Sequence, residues 1–91
     1  MAVTFAIPST FRPYTAGEQR FTTEAATVAE ALTALVDRFP SLRRHLFADN
    51  GELRGFINVF RNRDNVRDLD GVRTAVHAED VLTIVPTIAG G

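Results

Sequence analysis

The side chains that most often perform covalent catalysis are missing from this sequence. It has 91 residues with two histidines, no cysteine and no lysine, so all ten of its basic side chains are arginine. Without cysteine there is no thiolate nucleophile, no disulfide and no cysteine-ligated metal site. Without lysine there is no side-chain amine for a Schiff base. A GC-rich genome, which favours arginine codons, is the simplest explanation of the missing lysine, and the chemistry is excluded in either case.

The remaining polar side chains do not form a catalytic pattern. His45 lies in a predicted helical turn and His77 in a predicted loop, and we interpret both as surface or packing residues. The acidic run at 68–70 and the pair Glu79 and Asp80 lack the alternating acids of a calcium loop, and Asp80 is interpreted as a turn residue. We therefore predict no catalytic residue, no metal site and no enzymatic activity.

The C-terminal sequence VPTIAGG is the feature that could take part in chemistry. Pro86 has no backbone donor and marks the predicted end of the last strand. This divides the chain into a folded domain, residues 1–86, and a flexible C-terminal tail, residues 87–91. Five extended residues span about 17 Å, which is enough to reach into the active site of a partner protein.

The composition of this tail suits a narrow tunnel. Gly90 and Gly91 have no Cβ and accept backbone angles that other residues resist. A frayed, glycine-rich terminus is the alternative interpretation, but such ends are usually polar, whereas Ile88 and Ala89 are apolar. The residues alone therefore leave two interpretations open: Thr87, Ile88, Ala89, Gly90 and Gly91 enter a partner's active site, or they form an ordinary frayed end.

The charge distribution argues against a nucleic-acid partner. The net charge is -1, and the first 50 residues contain five arginines and five acids while the remainder contains five arginines and six acids. Nucleic-acid binding requires a basic surplus, which is absent here. No apolar run is long enough to cross a bilayer, and the N-terminal residues do not resemble a signal peptide. We expect a cytoplasmic protein with neither a membrane nor a nucleic-acid partner.

The elements that must position the tail form a strand-rich order around one helix. The sequence T-x-x-E from Thr27 to Glu30 is a capping box that starts this helix, and Pro40 ends it. Strands are predicted in AVTFAIP, QRFTT, LRGFINVFRN and VLTIVP, with a short edge strand around residues 65–69. Helix and strands are segregated along the chain, so we predict an α+β domain with one main helix packed on one sheet.

Four stretches of the sequence resemble the ubiquitin-like sulfur carriers of the MoaD and ThiS family. They are IPSTFRPYTAG, FINVFRNRDNVR, GVRT and EDVLTIVPTIAGG, and the resemblance covers nearly the whole chain. It implies a β-grasp fold, in which a mixed sheet curls around the helix and the first and last strands are adjacent at its centre. The chain departs from the family at residues 78–80, where an Asp-Gly-Asp-like turn is usual, and at Thr87, where many members have an apolar residue or proline.

The resemblance also implies a function for Gly91. An adenylating enzyme related to the ubiquitin activators would use MgATP to convert its carboxylate into an acyl-adenylate. A sulfur donor would then displace AMP and leave a thiocarboxylate. A downstream sulfur-accepting synthase, for cysteine, thiamin, molybdopterin or another thio-metabolite, would take the sulfur, and the carrier itself would bind no cofactor.

Two other functions remain open, and the partner surface is a separate prediction. The chain is alternatively a ubiquitin-like modifier joined to lysines through Gly91, or a non-covalent β-grasp interaction domain. By analogy with ubiquitin-like docking, the sheet face away from the helix should contact the partner. Strand parity then makes Val59, Arg61 and Val85 candidates for that surface, while Asn58 is interpreted as a structural hydrogen-bonding residue.

Overall fold

A mixed sheet of five strands forms the body of the protein in the computed structural model, which describes residues 2–87. The strands are β1 (Ala2–Ala6), β2 (Arg20–Glu24), β3 (Ile57–Arg61), β4 (Asp64–Asn65) and β5 (Val81–Pro86). They lie in the order β2-β1-β5-β3-β4, with β1 and β5 parallel and the other neighbours antiparallel. The prediction that the first and last strands are adjacent at the centre of the sheet is confirmed.

The main helix, α1 (Val28–Arg38), begins and ends where the sequence predicts. The Thr27 hydroxyl accepts a hydrogen bond from the Glu30 amide at 3.2 Å, and the Glu30 carboxylate accepts one from the Ala26 amide at 2.9 Å. The carboxylate thus reaches one residue further back than in the usual capping box. Two amides at the start of the helix are satisfied in this way, and the helix is over before Pro40.

One face of α1 packs on one face of the sheet. Val28, Ala31, Leu32, Leu35 and Val36 recur at helical spacing and are all buried. The inward-facing strand residues opposite them are Val3, Phe5, Ile57, Val59, Leu82 and Ile84, which are at most 1% exposed. Burial of one such side chain stabilises the folded state by about 1.5–3 kcal/mol. The face of each strand that packs against α1 is therefore the one that points inward.

The connections consist largely of short helical turns. A second, four-residue helix, α2 (Arg43–Leu46), follows a turn at Pro40–Leu42. The predicted edge strand is only partly correct, because pairing ends at Asn65 and a 3-10 turn occupies Val66–Asp68. The Asn65 side chain accepts from the Arg67 amide at 3.0 Å, and this cap turns the chain away from the strand. Within residues 2–87, no helix is long and apolar enough to cross a membrane.

The turn before β5 accommodates one departure from the family pattern. Glu79 has a φ of 71°, in the left-handed region that glycine adopts most readily. This is the middle position of the Asp-Gly-Asp-like turn that the resemblance leads one to expect. The Glu79 amide donates to the Ala2 carbonyl at 3.0 Å, so the turn keeps its connection to β1 although a bulkier residue stands there.

Candidate functional site: the root of the C-terminal tail

The C-terminal tail begins where β5 ends, beside the start of β3. Ile57 is paired with Pro86, which has no N–H to donate across the ladder. The next donor is Thr87, whose amide and hydroxyl bind the Phe56 carbonyl oxygen at 2.7 and 2.9 Å. We call Phe56, Pro86 and Thr87 the tail root.

These two hydrogen bonds correct the predicted domain boundary by one residue. Thr87 was expected in the flexible tail, but both of its donors are bound to the sheet edge, so the folded body extends to residue 87. The other predicted tail residues, Ile88, Ala89, Gly90 and Gly91, lie outside the described residues. Their roles stay predictions from the sequence.

A single arginine holds the chain segment that provides the Phe56 carbonyl. The Nη2 of Arg67 donates to the backbone carbonyls of residues 54, 55 and 57 at 3.2, 3.3 and 2.9 Å. Its Nε donates to the Asn58 side-chain oxygen at 3.1 Å. Three carbonyls of segment 54–57 therefore bind Arg67, and the fourth binds Thr87.

Asn58 has the structural role that the sequence predicts. Its side-chain oxygen accepts hydrogen bonds from Arg67 and from the Asn65 amide group, the latter at 3.3 Å. Sequence reasoning missed Arg67 itself, because no local signal identifies an arginine whose acceptors lie nine or more positions earlier in the chain.

A groove of about 480 Å³ lies directly beside the tail root. Its lining includes Arg44, His45, Arg54, Phe56, Pro86 and Thr87. The His45 ring stacks on Tyr14 with 4.1 Å between the ring centroids, which agrees with a packing role for this histidine. Within residues 2–87 no three potential metal-ligating side chains lie together.

The partner surface predicted from strand parity is wrong at Val59. This residue is paired with Ile84 and is 0% exposed, because it faces α1. The stretch FINVF is apolar on both faces apart from Asn58, so parity alone could not decide which face is covered by the helix. On β3 the outer face contains Asn58 and Phe60 instead.

Val85 and Arg61, the other two candidates for the partner surface, lie in different environments. Val85 is 36% exposed and lies on the outer face, opposite Asn58 of β3. Arg61 is half-buried and donates to the Ala75 carbonyl at 2.9 Å. Arg61 lies four residues further along β3 than Ile57, the neighbour of the tail root. At the usual rise of a strand, this separates Arg61 from Ile57 by about 13 Å. Contact of Val85 or Arg61 with a partner stays a prediction.

The sheet order and the packing of α1 define a ubiquitin-like β-grasp protein, as the sequence predicts. More specifically, the chain belongs to the ThiS family, whose family model matches residues 6–91. The match includes the C-terminal glycines as well as the folded body.

The relatives of this chain are sulfur carriers and protein modifiers. It is 31% identical over 93 residues to the sulfur carrier protein CysO of Mycobacterium tuberculosis, and the alignment covers all of both chains. The crystal structure of small archaeal modifier protein 1 from Haloferax volcanii has a TM-score of 0.87 at 30% identity and is likewise covered completely. A chain in the BexX/CysO complex of Amycolatopsis orientalis has a TM-score of 0.87 at 36% identity, with 98% of this chain and 99% of that chain covered.

Proposed function

We propose that this protein is a sulfur carrier whose Gly91 carboxylate is adenylated and then converted into a thiocarboxylate. The observation that carries the proposal is the attachment of Thr87 to the Phe56 carbonyl, in a chain of the ThiS family. Four residues follow this attachment, and an extended chain of that length spans about 13 Å. The fold thereby supplies a fixed origin from which the terminal carboxylate reaches a partner's active site.

The proposed chemistry needs nothing from the carrier except its terminus. A Gly91 carboxylate oxygen attacks the α-phosphorus of MgATP bound to the activating enzyme, and pyrophosphate leaves. Hydrosulfide then attacks the carbonyl carbon of the acyl-adenylate, the bond to the AMP oxygen breaks, AMP leaves, and loss of the sulfur-bound proton gives the thiocarboxylate. Because glycine has no Cβ, the carbonyl is open to attack, and the chain has no cysteine or lysine side chain to intercept the activated carbon.

Two kinds of partner follow from this chemistry. One is an adenylating enzyme related to the ubiquitin activators, and the other is a synthase that accepts the sulfur. The complex of CysO with BexX supports the idea that such carriers bind a second protein. We propose that Val85 on the outer sheet face contacts these partners and that Val59 does not. Arg61 is on the same strand face as Val59, so we propose its contact with a partner as a separate one, at the far end of β3 from the tail root.

A second function, protein modification through Gly91, is favoured by one specific observation. The chain is 41% identical over 66 residues to small archaeal modifier protein 1 of Haloferax volcanii, covering 72% of this chain and 71% of the relative. Since this chain has no lysine, it cannot extend itself into a chain of copies through side-chain amines. A modifier of this sequence would therefore add single copies to each target lysine.

Deletion of Gly91 tests both covalent functions against a non-covalent interaction domain. We expect the shortened protein to unfold at the same denaturant concentration as the full chain but to lose all activity in its parent pathway. Full activity without Gly91 would overturn the carrier and the modifier alike. Isopeptide-linked conjugates in cell extract, absent with the deletion, would favour the modifier over the carrier.

A valine at position 90 tests the narrow passage that the glycines imply. We expect Gly90→Val to abolish adenylation, because a branched side chain next to the reacting residue does not fit a tunnel made for glycine. The thermal unfolding midpoint should stay at the wild-type value. A variant that is adenylated at the wild-type rate would contradict the proposed tunnel while leaving Gly91 as the reacting residue.

A further inference from the structure

The groove beside the tail root lies where any enzyme that receives the tail must make contact. Pro86 and Thr87 form part of its wall, and only four residues follow Thr87. Because these residues span about 13 Å at most, the mouth of the receiving active site has to rest against the surface around the tail root. The residues that line the groove are therefore part of the contact surface.

The apolar part of this groove includes an exposed aromatic side chain. Phe56 is 42% exposed, the highest value among the large apolar side chains of residues 2–87. Its backbone carbonyl is bound to Thr87, and Phe56 lines the groove together with Pro86. Aromatic and arginine side chains are the residue types most enriched at the energetic centres of protein interfaces.

The charged side chains that line the groove, within the described residues, are both positive. Arg44 and Arg54 both line it, and the Arg54 Nε donates to the Arg44 carbonyl at 2.8 Å. No acidic residue of the described chain lines the groove, although the protein as a whole has a net charge of -1. Within residues 2–87 the Arg44 guanidinium makes no hydrogen bond or ion pair, whereas its neighbour Arg43 pairs with Asp37 at 3.4 Å.

We propose that this groove binds an acidic segment of the activating enzyme, with an apolar side chain against Phe56 and a carboxylate on Arg44. The inference rests on the proposed function, because it concerns the enzyme that adenylates Gly91. An unpaired guanidinium offers a carboxylate two parallel N–H donors, and such charge-assisted pairs form short, directional hydrogen bonds. The groove thus adds recognition of the folded body to recognition of the tail.

Two adjacent arginines provide a matched test of this docking site. We expect Arg44→Glu to raise the KM of the activating enzyme for the carrier about tenfold or more, with little change in kcat at saturation. Arg43→Glu, the control, should change the KM by less than about twofold, because that side chain lies away from the tail root and is already paired. Both variants should fold, since Arg44 contributes to the structure through its backbone carbonyl.

Phe56 and ionic strength give two independent measurements. Phe56→Ser keeps the carbonyl that holds Thr87 but removes the ring, and we expect it to raise the KM as well. Added salt should weaken binding of the wild-type carrier more than binding of Arg44→Glu, because charge pairs at the edge of an interface are screened.

The outcomes separate this inference from the proposed function. If the wild-type chain is adenylated and Arg44→Glu has the same KM as Arg43→Glu, the docking site is wrong and the carrier function stands. If a cognate activating enzyme does not adenylate the wild-type chain, both fail together. A KM raised by Arg44→Glu and by Phe56→Ser but not by Arg43→Glu establishes the groove as the docking site.

Discussion

At the scale of single residues, Asp80 fixes the turn that leads into β5. Its two carboxylate oxygens accept hydrogen bonds from the His77 amide at 2.8 Å and from the Asn62 side chain at 3.1 Å. Burial raises the pKa of Asp80, but these hydrogen bonds and the positive charge of Arg61 outweigh it and hold the pKa below its ordinary value of 3.8. Asp80 is therefore the turn residue that the sequence predicts, and it acts in its ionised form.

Replacement of this carboxylate should make stability less dependent on pH. Because the pKa is lower in the folded than in the unfolded protein, ionised Asp80 stabilises the fold above pH 3.8, and this contribution is lost as the pH falls through the folded pKa. We expect Asp80→Asn to lower the free energy of unfolding at neutral pH, with a difference that shrinks below about pH 4. Urea unfolding over this pH range measures it, and a difference that grows in acid would contradict the assignment.

Val59 and Val85 should respond oppositely to truncation, although both were candidates for one surface. Val59→Ala removes two buried methyl groups, and we expect it to lower the free energy of unfolding by about 2 kcal/mol without changing the KM of the activating enzyme. Val85→Ala should cost less stability because the side chain is 36% exposed, but it should raise the KM. If Val59→Ala raised the KM without lowering stability, and Val85→Ala lowered stability without raising the KM, the assignment of these two residues would be wrong.

At the scale of elements, the Arg67 guanidinium connects the turn at Val66–Asp68 to the start of β3 and so to the tail root. Its removal leaves the carbonyls of residues 54, 55 and 57 without this partner. We expect Arg67→Ala to accelerate hydrogen exchange of the Thr87 amide several-fold, because the segment that supplies the Phe56 carbonyl is then less constrained. The amides at the centre of the β3 and β5 ladder should change little.

Two further variants show whether the geometry of this arginine is what matters. Arg67→Lys should restore only part of the protection, since an ammonium cannot reproduce the planar fork of a guanidinium. Arg63→Ala is the control, because Arg63 is exposed and makes no hydrogen bond within residues 2–87. Equal Thr87 exchange in Arg67→Ala and Arg63→Ala would remove Arg67 from the account of the tail root.

These elements also show which parts of the fold could be predicted from the sequence. The limits of α1 and the end of β5 depend on local chemistry, in the capping box at Thr27 and in the two prolines at 40 and 86, and both predictions were correct. The inward face of β3 depends on where α1 packs, so the apolar run FINVF gave no basis for placing Val59. The Arg67 contacts also require tertiary structure, and the groove lining combines residues from opposite ends of the chain.

At the scale of the whole molecule, the proposed function makes the folded body a support for the C-terminal residues. Its radius of gyration is 12.1 Å, and the four residues after Thr87 span a comparable distance when extended, about 13 Å. In the proposed function, the folded body supplies the attachment point and the contact surface, and partner enzymes supply the chemistry at Gly91. The carrier proposed here would need no catalytic side chain of its own.

The most direct test of this account is the intact mass of the purified protein after incubation with a cognate adenylating enzyme, MgATP and a sulfide source. The account predicts a gain equal to the mass difference between one sulfur and one oxygen atom, located in the C-terminal peptide and absent when Gly91 is deleted. An unchanged mass, with an activating enzyme that consumes ATP only in the presence of this chain, would contradict thiocarboxylate formation and direct the search to protein conjugates.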